Sequence, residues 1–348
     1  MQAGTRRILF RLGLSLALAA AFVWWLTNQG IRMIPSADDF GRIASWALPV
    51  YAVNLLAFHF LRAWRWEFLL RPIQPVPTKK VVLVSLVGYL AVLILPLRTG
   101  ELARPVLIRR HAGIPMSTAL GTVAVERVLD GLMVSAALTI CLLVVPLHPG
   151  PYLWMLRLAP LGLFITAFAV LVLVLRHTEW TARVAGGAAG VFSKTLVEPV
   201  SRAVRGVAHG LAAMPDRASL LRFLAVSTAY WLVNALGIFL LARGCGIDLG
   251  YLDAVGVMGI LAVGIMLPAG PGFFGSFQAA ALVALGFFVS VEAVATRASI
   301  FIFVLYAGQV LFTVTLGLLA VAWGGVSLRG VAQEKLADVA SDELTEWP

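Results

Sequence analysis

The chain has 348 residues, 60% of them hydrophobic and 13% charged, and carries a formal net charge of +10. Its mean hydropathy of +0.92 lies far above that of soluble domains, so the chain reads as an integral membrane protein rather than a soluble enzyme. The 27 Lys and Arg residues are scattered between apolar runs rather than gathered in a nucleic-acid module, and the two cysteines, Cys141 and Cys245, are too far apart for a metal or disulfide framework.

A hydrocarbon layer of about 30 Å needs roughly 20 helical residues to cross it. The first run of that length, Ile8 to Leu26, follows Arg6, Arg7 and Arg11 and continues through "AAAFVWWLT" past any small-residue cleavage site, so it reads as a retained anchor. Ile43 to Leu61 is the second, and it ends in "RAWRWEFLLR", read as an aromatic and basic belt at the cytoplasmic interface. Leu120 to Leu147, Leu153 to Leu175, Leu221 to Leu241 and Ile300 to Trp323 complete six predicted crossings. Trp180 to Met214 alternates apolar and basic positions and reads as two amphipathic helices, divided near Pro199, on the anionic leaflet.

Two further regions, Val81 to Leu97 and Tyr251 to Phe288, are broken by proline, glycine or charge. With the N-terminus in the cytoplasm, most of the basic residues fall inside only if the first broken region enters and leaves on the cytoplasmic side. The second, "LPAGPGFFGSFQ", has no charge and reads as a hairpin dipping in from outside, or else as two full crossings joined by a neutral turn. Each lies between two crossings and has Leu-Pro at its turn, the pattern of an inverted repeat. The expected fold is therefore all-α: six transmembrane helices and two re-entrant helical hairpins, as one membrane domain over residues 1–325 with a cytoplasmic amphipathic segment at 178–218 and a short cytoplasmic tail at 326–348. The expected place is the inner (plasma) membrane, with both termini in the cytoplasm.

Within "LPLRTGELARPVLIRRHAG" the turn and descending arm of the first hairpin carry Arg98, Glu101 and Arg104 at i, i+3 spacing. The next crossing holds Glu126, Arg127 and Asp130; from a start near Ser117, Glu126 lies about 13 Å along the helix, close to mid-membrane. A charge at that depth costs roughly 2.5 to 3.5 kcal/mol on the most lenient scale, so these groups must face protein or water. Arg127 and Asp130 can pair locally, with Arg98 or Arg104 as further cations for the carboxylates. Two readings stand: an ion-pair network that locks the hairpin to the crossing, and a polar cavity for a charged head group.

The Gly-Glu…Arg and Glu-Arg-x-x-Asp combination, with "PAGPGFFGSFQ", resembles the lysylphosphatidylglycerol synthase transmembrane family, or flippase-like domain, over almost the whole chain. That resemblance falls on Arg98, Gly100, Glu101, Arg104, Glu126, Arg127 and Asp130, and on Pro271, Gly272 and Gly275. It implies movement of lipids or lipid-linked head groups between leaflets, not lysyl transfer, since only a short tail follows Trp323. Where the family's second motif often ends in Glu, this chain has Gln278, which questions a charge-based role there.

No metal, hydrolase or nucleotide motif accompanies these residues, so no catalytic residue, metal or cofactor is expected. His59 reads as a hydrogen-bonded packing residue. The expected substrate contacts are Arg98, Glu101, Arg104, Glu126, Arg127, Asp130, Pro271, Gly272, Gly275 and Gln278. The expected partner is a membrane lipid or lipid-linked head group, with a homo-oligomer or a lipid-modifying protein as further company. The alternatives are an enzyme modifying a lipid head group with Glu126 or Asp130 as general base, and an accessory subunit of a lipid-modifying or glycosylating system.

Overall fold

The computed structural model describes residues 35–95, 100–145, 176–192, 217–266 and 271–324, with scattered positions in 17–28, 158–173 and 197–205. The runs Ile8 to Leu26 and Leu153 to Leu175, the Leu-Pro turns at Pro96 and Leu267, Arg98 and the tail beyond residue 324 lie wholly or largely outside the described residues.

All regular structure among the described residues is helical. In chain order the helices are α1 (Ala37–Gly41), α2 (Ala47–Trp64), α3 (Glu67–Leu70), α4 (Thr78–Ile94), α5 (Ala103–Ala112), α6 (Met116–Val144), α7 (Thr178–Phe192), α8 (Arg217–Gly244), α9 (Tyr251–Gly264), α10 (Ser276–Phe288) and α11 (Val291–Gly324). Three of them, α6, α8 and α11, are long and apolar enough to cross a membrane. The ends follow local chemistry. Gly113 terminates α5 in the left-handed conformation, φ 73°, which a residue without Cβ adopts cheaply, and Pro115 opens the way into α6.

Helices α2 and α8 run antiparallel. Ala47 fills the space left by Gly244, and two turns along from there the Asn54 side chain donates to the Val233 carbonyl at 2.9 Å beside Gly237. Around this pair the broken regions exchange partners. Helix α4 packs on α11, where Leu90 covers Gly317, and α9 packs on α6, where Gly256 meets Cys141 and Gly259 meets Leu138. The first arm of each broken region thus lies along the long helix that follows the other one. Small residues at these crossings let backbones approach where lipid gives no hydrophobic drive for helices to associate.

Each broken region folds back on itself. Gly100 lies so close to the backbone of Ala91 and Val92 that a Cβ would overlap it, and Gly264 is pressed against Ala280 between α9 and α10. A short 3-10 turn, Pro271–Phe273, precedes α10, with Gly272, Phe273 and Gly275 all at positive φ. In the 178–218 segment, Ser201 donates to the Ala182 carbonyl of α7 at 2.9 Å and Arg205 pairs with Glu179, so the chain returns against α7.

The interfacial reading of "RAWRWEFLLR" requires correction. Arg65 and Trp66 are both 0% exposed, and Phe68, Leu69 and Leu70 of α3 are buried with them. The turn between α2 and α3 tucks under α8 and against α6, where the Trp66 indole donates to the Thr122 hydroxyl at 3.0 Å. A periodic mix of Trp and Arg suits a membrane interface equally well by composition; the inward turn is what differs.

Candidate functional site

Glu126, on the inner face of α6, is 0% exposed and lies between two arginines. Arg104 of α5 donates to both its carboxylate oxygens, at 3.1 and 2.9 Å, and Arg65 donates to Oε1 at 2.9 Å. One turn later Asp130 accepts from both terminal nitrogens of Arg65, one of them at 2.6 Å, and from the Trp231 indole of α8 at 3.2 Å. Arg65 also reaches the Ser227 hydroxyl at 3.3 Å. Four segments are thereby tied by one network: the end of α2, then α5, α6 and α8.

Charge-assisted, two-pronged bonds of this kind are the geometry to which guanidinium is suited. Aromatic faces complete their surroundings: the Arg104 guanidinium lies 4.1 Å from the Trp66 ring centre, and that of Arg65 4.5 Å from Tyr230. Arg104 reaches Glu126 only because Gly88 of α4 has no side chain, since a Cβ there would collide with the aliphatic stem of the arginine.

Two other arginines lie at the edge of this network. Arg127 makes only a long ion pair with Glu126, 3.6 Å, and its side chain is 42% exposed. Arg62 is half-buried, 4.1 Å over the Tyr89 ring, and forms no ion pair among the described residues. Both line a cavity of about 330 Å³ between the two broken regions. Glu101, Arg104, Asp130 and Tyr89 line it from the first half of the chain. From the second half come Trp231, Asn234, Phe277, Tyr306, Gln309 and Thr313, among apolar neighbours. Arg62, Arg65, Arg104 and Arg127 face Glu101, Glu126 and Asp130, which leaves one positive charge in excess around the cavity among the described residues.

The expected contacts therefore divide. Glu101, Arg104, Arg127, Asp130 and Gly272 line the cavity, and Glu126 lies behind them. Pro271 begins the 3-10 turn. Gln278 is 5% exposed and accepts the Gly275 backbone N–H at 2.8 Å, so these two cap α10, while the neighbouring Phe277 faces the cavity. Arg98 lies outside the described residues. Asp130 takes Arg65 rather than Arg127, because its face of α6 looks toward α2 and α8. Arg62 and Arg65 were missed by sequence reasoning. Their i, i+3 spacing at the end of an apolar run was the available signal.

His59 behaves as expected: it is buried, with Nδ1 bonded to the Leu55 carbonyl at 2.8 Å and Nε2 to the Thr313 hydroxyl at 3.1 Å. Cys141 and Cys245 are buried free thiols. No cluster of His, Cys, Asp or Glu able to hold a metal ion occurs among the described residues.

The pairing of a Gly-Glu…Arg hairpin with a Glu-Arg-x-x-Asp helix, now seen as one ion network, runs through a match to a described family over residues 12–328. The chain belongs to the lysylphosphatidylglycerol synthase TM region family. Membership ties it to membrane lipids and agrees with its long apolar helices. No curated protein and no solved structure matches the chain.

Proposed function

We propose that this family member moves a phospholipid or lipid-linked anionic head group between leaflets, without altering it, while the apolar tails stay in lipid. In this reading the chain crosses the inner membrane six times with both termini in the cytoplasm, and the α4–α5 and α9–α10 pairs enter from opposite sides as re-entrant hairpins. At 1.5 Å per residue α5, α9 and α10 reach only about 15 to 21 Å, well short of a 30 Å core. Antiparallel packing of α2 on α8 favours the inverted arrangement.

The observation that carries the proposal is that Arg62, with no ion pair among the described residues, and the partly exposed Arg127, with only a 3.6 Å contact to a Glu126 that two other arginines already hold, line one cavity. A phosphate entering it meets the guanidinium groups of Arg62 and Arg127, and at Arg127 it competes with a Glu126 that already accepts from Arg65 and Arg104. Glu126 and Asp130 accept hydrogen bonds from arginines on several sides, which suits them to hold those cations in place and not to take a proton from a substrate.

Purified protein in vesicles with tail-labelled anionic phospholipid tests this directly. Movement above protein-free vesicles, with the lipid recovered unchanged, is expected. Arg127→Ala is expected to slow it at least about tenfold, as for loss of one charge-assisted bond of about 1.5 to 3 kcal/mol. Equal rates for the parent, Arg127→Ala and empty vesicles would overturn translocation, and a chemically altered lipid would favour an enzyme.

A further inference from the structure

The two walls of the cavity differ in kind. On the wall from the first half stand every charged lining residue described: Arg62, Glu101, Arg104, Arg127 and Asp130. The wall from the second half offers neutral polar groups instead, the amides of Asn234 and Gln309 and the hydroxyls of Tyr306 and Thr313, with the flat rings of Phe273 and Phe277 beside them. Several of these polar groups already have partners. Tyr306 donates to the Gly272 carbonyl at 3.1 Å, Thr313 bonds His59, and the Gln309 amide bonds the Tyr51 hydroxyl with one of its polar atoms. Asn234, half-buried on α8 one turn from Trp231, makes no hydrogen bond among the described residues. A side-chain amide that faces a cavity in this way can both donate and accept, as a hydroxyl-bearing ligand requires.

From this division, and resting on the translocation reading above, we propose that the head group is a phosphodiester carrying a neutral, hydroxyl-bearing moiety such as glycerol or a single sugar ring. The phosphate lies against Arg127 and Arg62, and the hydroxyls lie against Asn234 and Gln309. Amide hydrogen bonding combined with an aromatic face suits the alternating polar edges and C–H faces of a polyol or sugar. The volume of about 330 Å³ is at the small end of ligand sites, which run from about 300 to 1,000 Å³, and admits one such moiety rather than an oligosaccharide.

The same division disfavours an aminoacylated head group. A lysyl ester brings two ammonium groups to a site that already has positive charge in excess, and the second wall provides no carboxylate to receive them. Like charges brought together in this way cost several kcal/mol. The family takes its description from lysylphosphatidylglycerol synthase, so this chain's cavity is built for a different cargo from the lipid in that description.

Full-length protein in phosphatidylcholine vesicles, each with a trace of one tail-labelled lipid, provides the test. The three probes are phosphatidylglycerol, its lysyl ester, and phosphatidic acid, which has the phosphate alone. Phosphatidylglycerol is expected to move at least about tenfold faster than the lysyl ester, in keeping with like-charge exclusion. Asn234→Leu is expected to slow phosphatidylglycerol about tenfold, as for one lost hydrogen bond at a desolvated site, and to change phosphatidic acid by less than about twofold. Size-exclusion and thermal melting of Asn234→Leu show whether it folds as the parent does; should it not, Asn234→Ala takes its place with the same expected split.

A lysyl ester that moves as fast as phosphatidylglycerol, or a variant that slows phosphatidylglycerol and phosphatidic acid alike, would overturn the proposed specificity and leave translocation standing. Failure of all three probes to move faster than in protein-free vesicles would overturn both.

Discussion

The two broken regions share one plan and differ in chemistry. Each has a first arm packed on the long helix that follows the other, a close glycine contact that folds it back, and a second arm leading into its own long helix. In the first, the second arm brings Arg104 to Glu126 and the site is held by ion pairs. In the second, Gln278 turns back to cap α10 and Phe277 faces the cavity, so the corresponding turn is held by backbone capping and ring packing. Similar architecture thus supports a charged wall and a neutral one. Packing of small residues sets the plan, while one or two side chains per arm set the chemistry.

Substitutions on the two sides sharpen this contrast. The largest expected effect is Glu126→Ala, which leaves Arg65 and Arg104 buried without their shared acceptor. Breaking a buried ion pair costs about 3 to 5 kcal/mol, so the thermal transition in detergent should fall steeply and folded yield with it. A transition close to the parent's would mean that the charged wall is not a stabilising element at all.

Gly88→Ala asks how tightly the arginine is fitted. The added methyl must displace Arg104, and overpacking of this kind costs about 1 to 3 kcal/mol. Lipid movement and thermal stability should decline together, and unchanged values for both would show that Arg104 has room to reach Glu126 by another path. The smallest effect is expected in the neutral half. Gln278→Leu removes one capping acceptor at the start of α10, worth about 0.5 to 2 kcal/mol, and its movement of lipid should stay within a few-fold of the parent's. If Gln278→Leu were as damaging as Glu126→Ala, the division of labour between the two halves would have to be abandoned.

Much of this was legible in residues read singly. Glu101, Arg104, Glu126, Arg127 and Asp130 stand out because charge is rare in so apolar a chain and must be sheltered wherever it occurs. The proline and glycine breaks marked where α4 and α9 end. Arg65 escaped notice because its sequence neighbours, Trp64, Trp66 and Arg71, have the composition of an interface. Its burial depends on a turn that places it under α8, 162 residues further along, where it meets Ser227. Gln278 misled for the opposite reason. A polar residue after a glycine-rich turn can line a cavity or satisfy the first N–H groups of a helix, and only its side-chain direction distinguishes the two.

Sequence alone determined that this chain is a helical membrane protein, because apolar run length and the cost of isolated charge in hydrocarbon leave few other solutions, and its motifs carried the resemblance to a lipid-associated family. Only the tertiary structure decided which arginines are consumed by carboxylates and which face the cavity. That partition is set by contacts among the end of α2, α5, α6 and α8, whose side chains meet at 2.6 to 3.3 Å. Electrostatic pairing acts through space at these distances, and sequence separation carries no information about it.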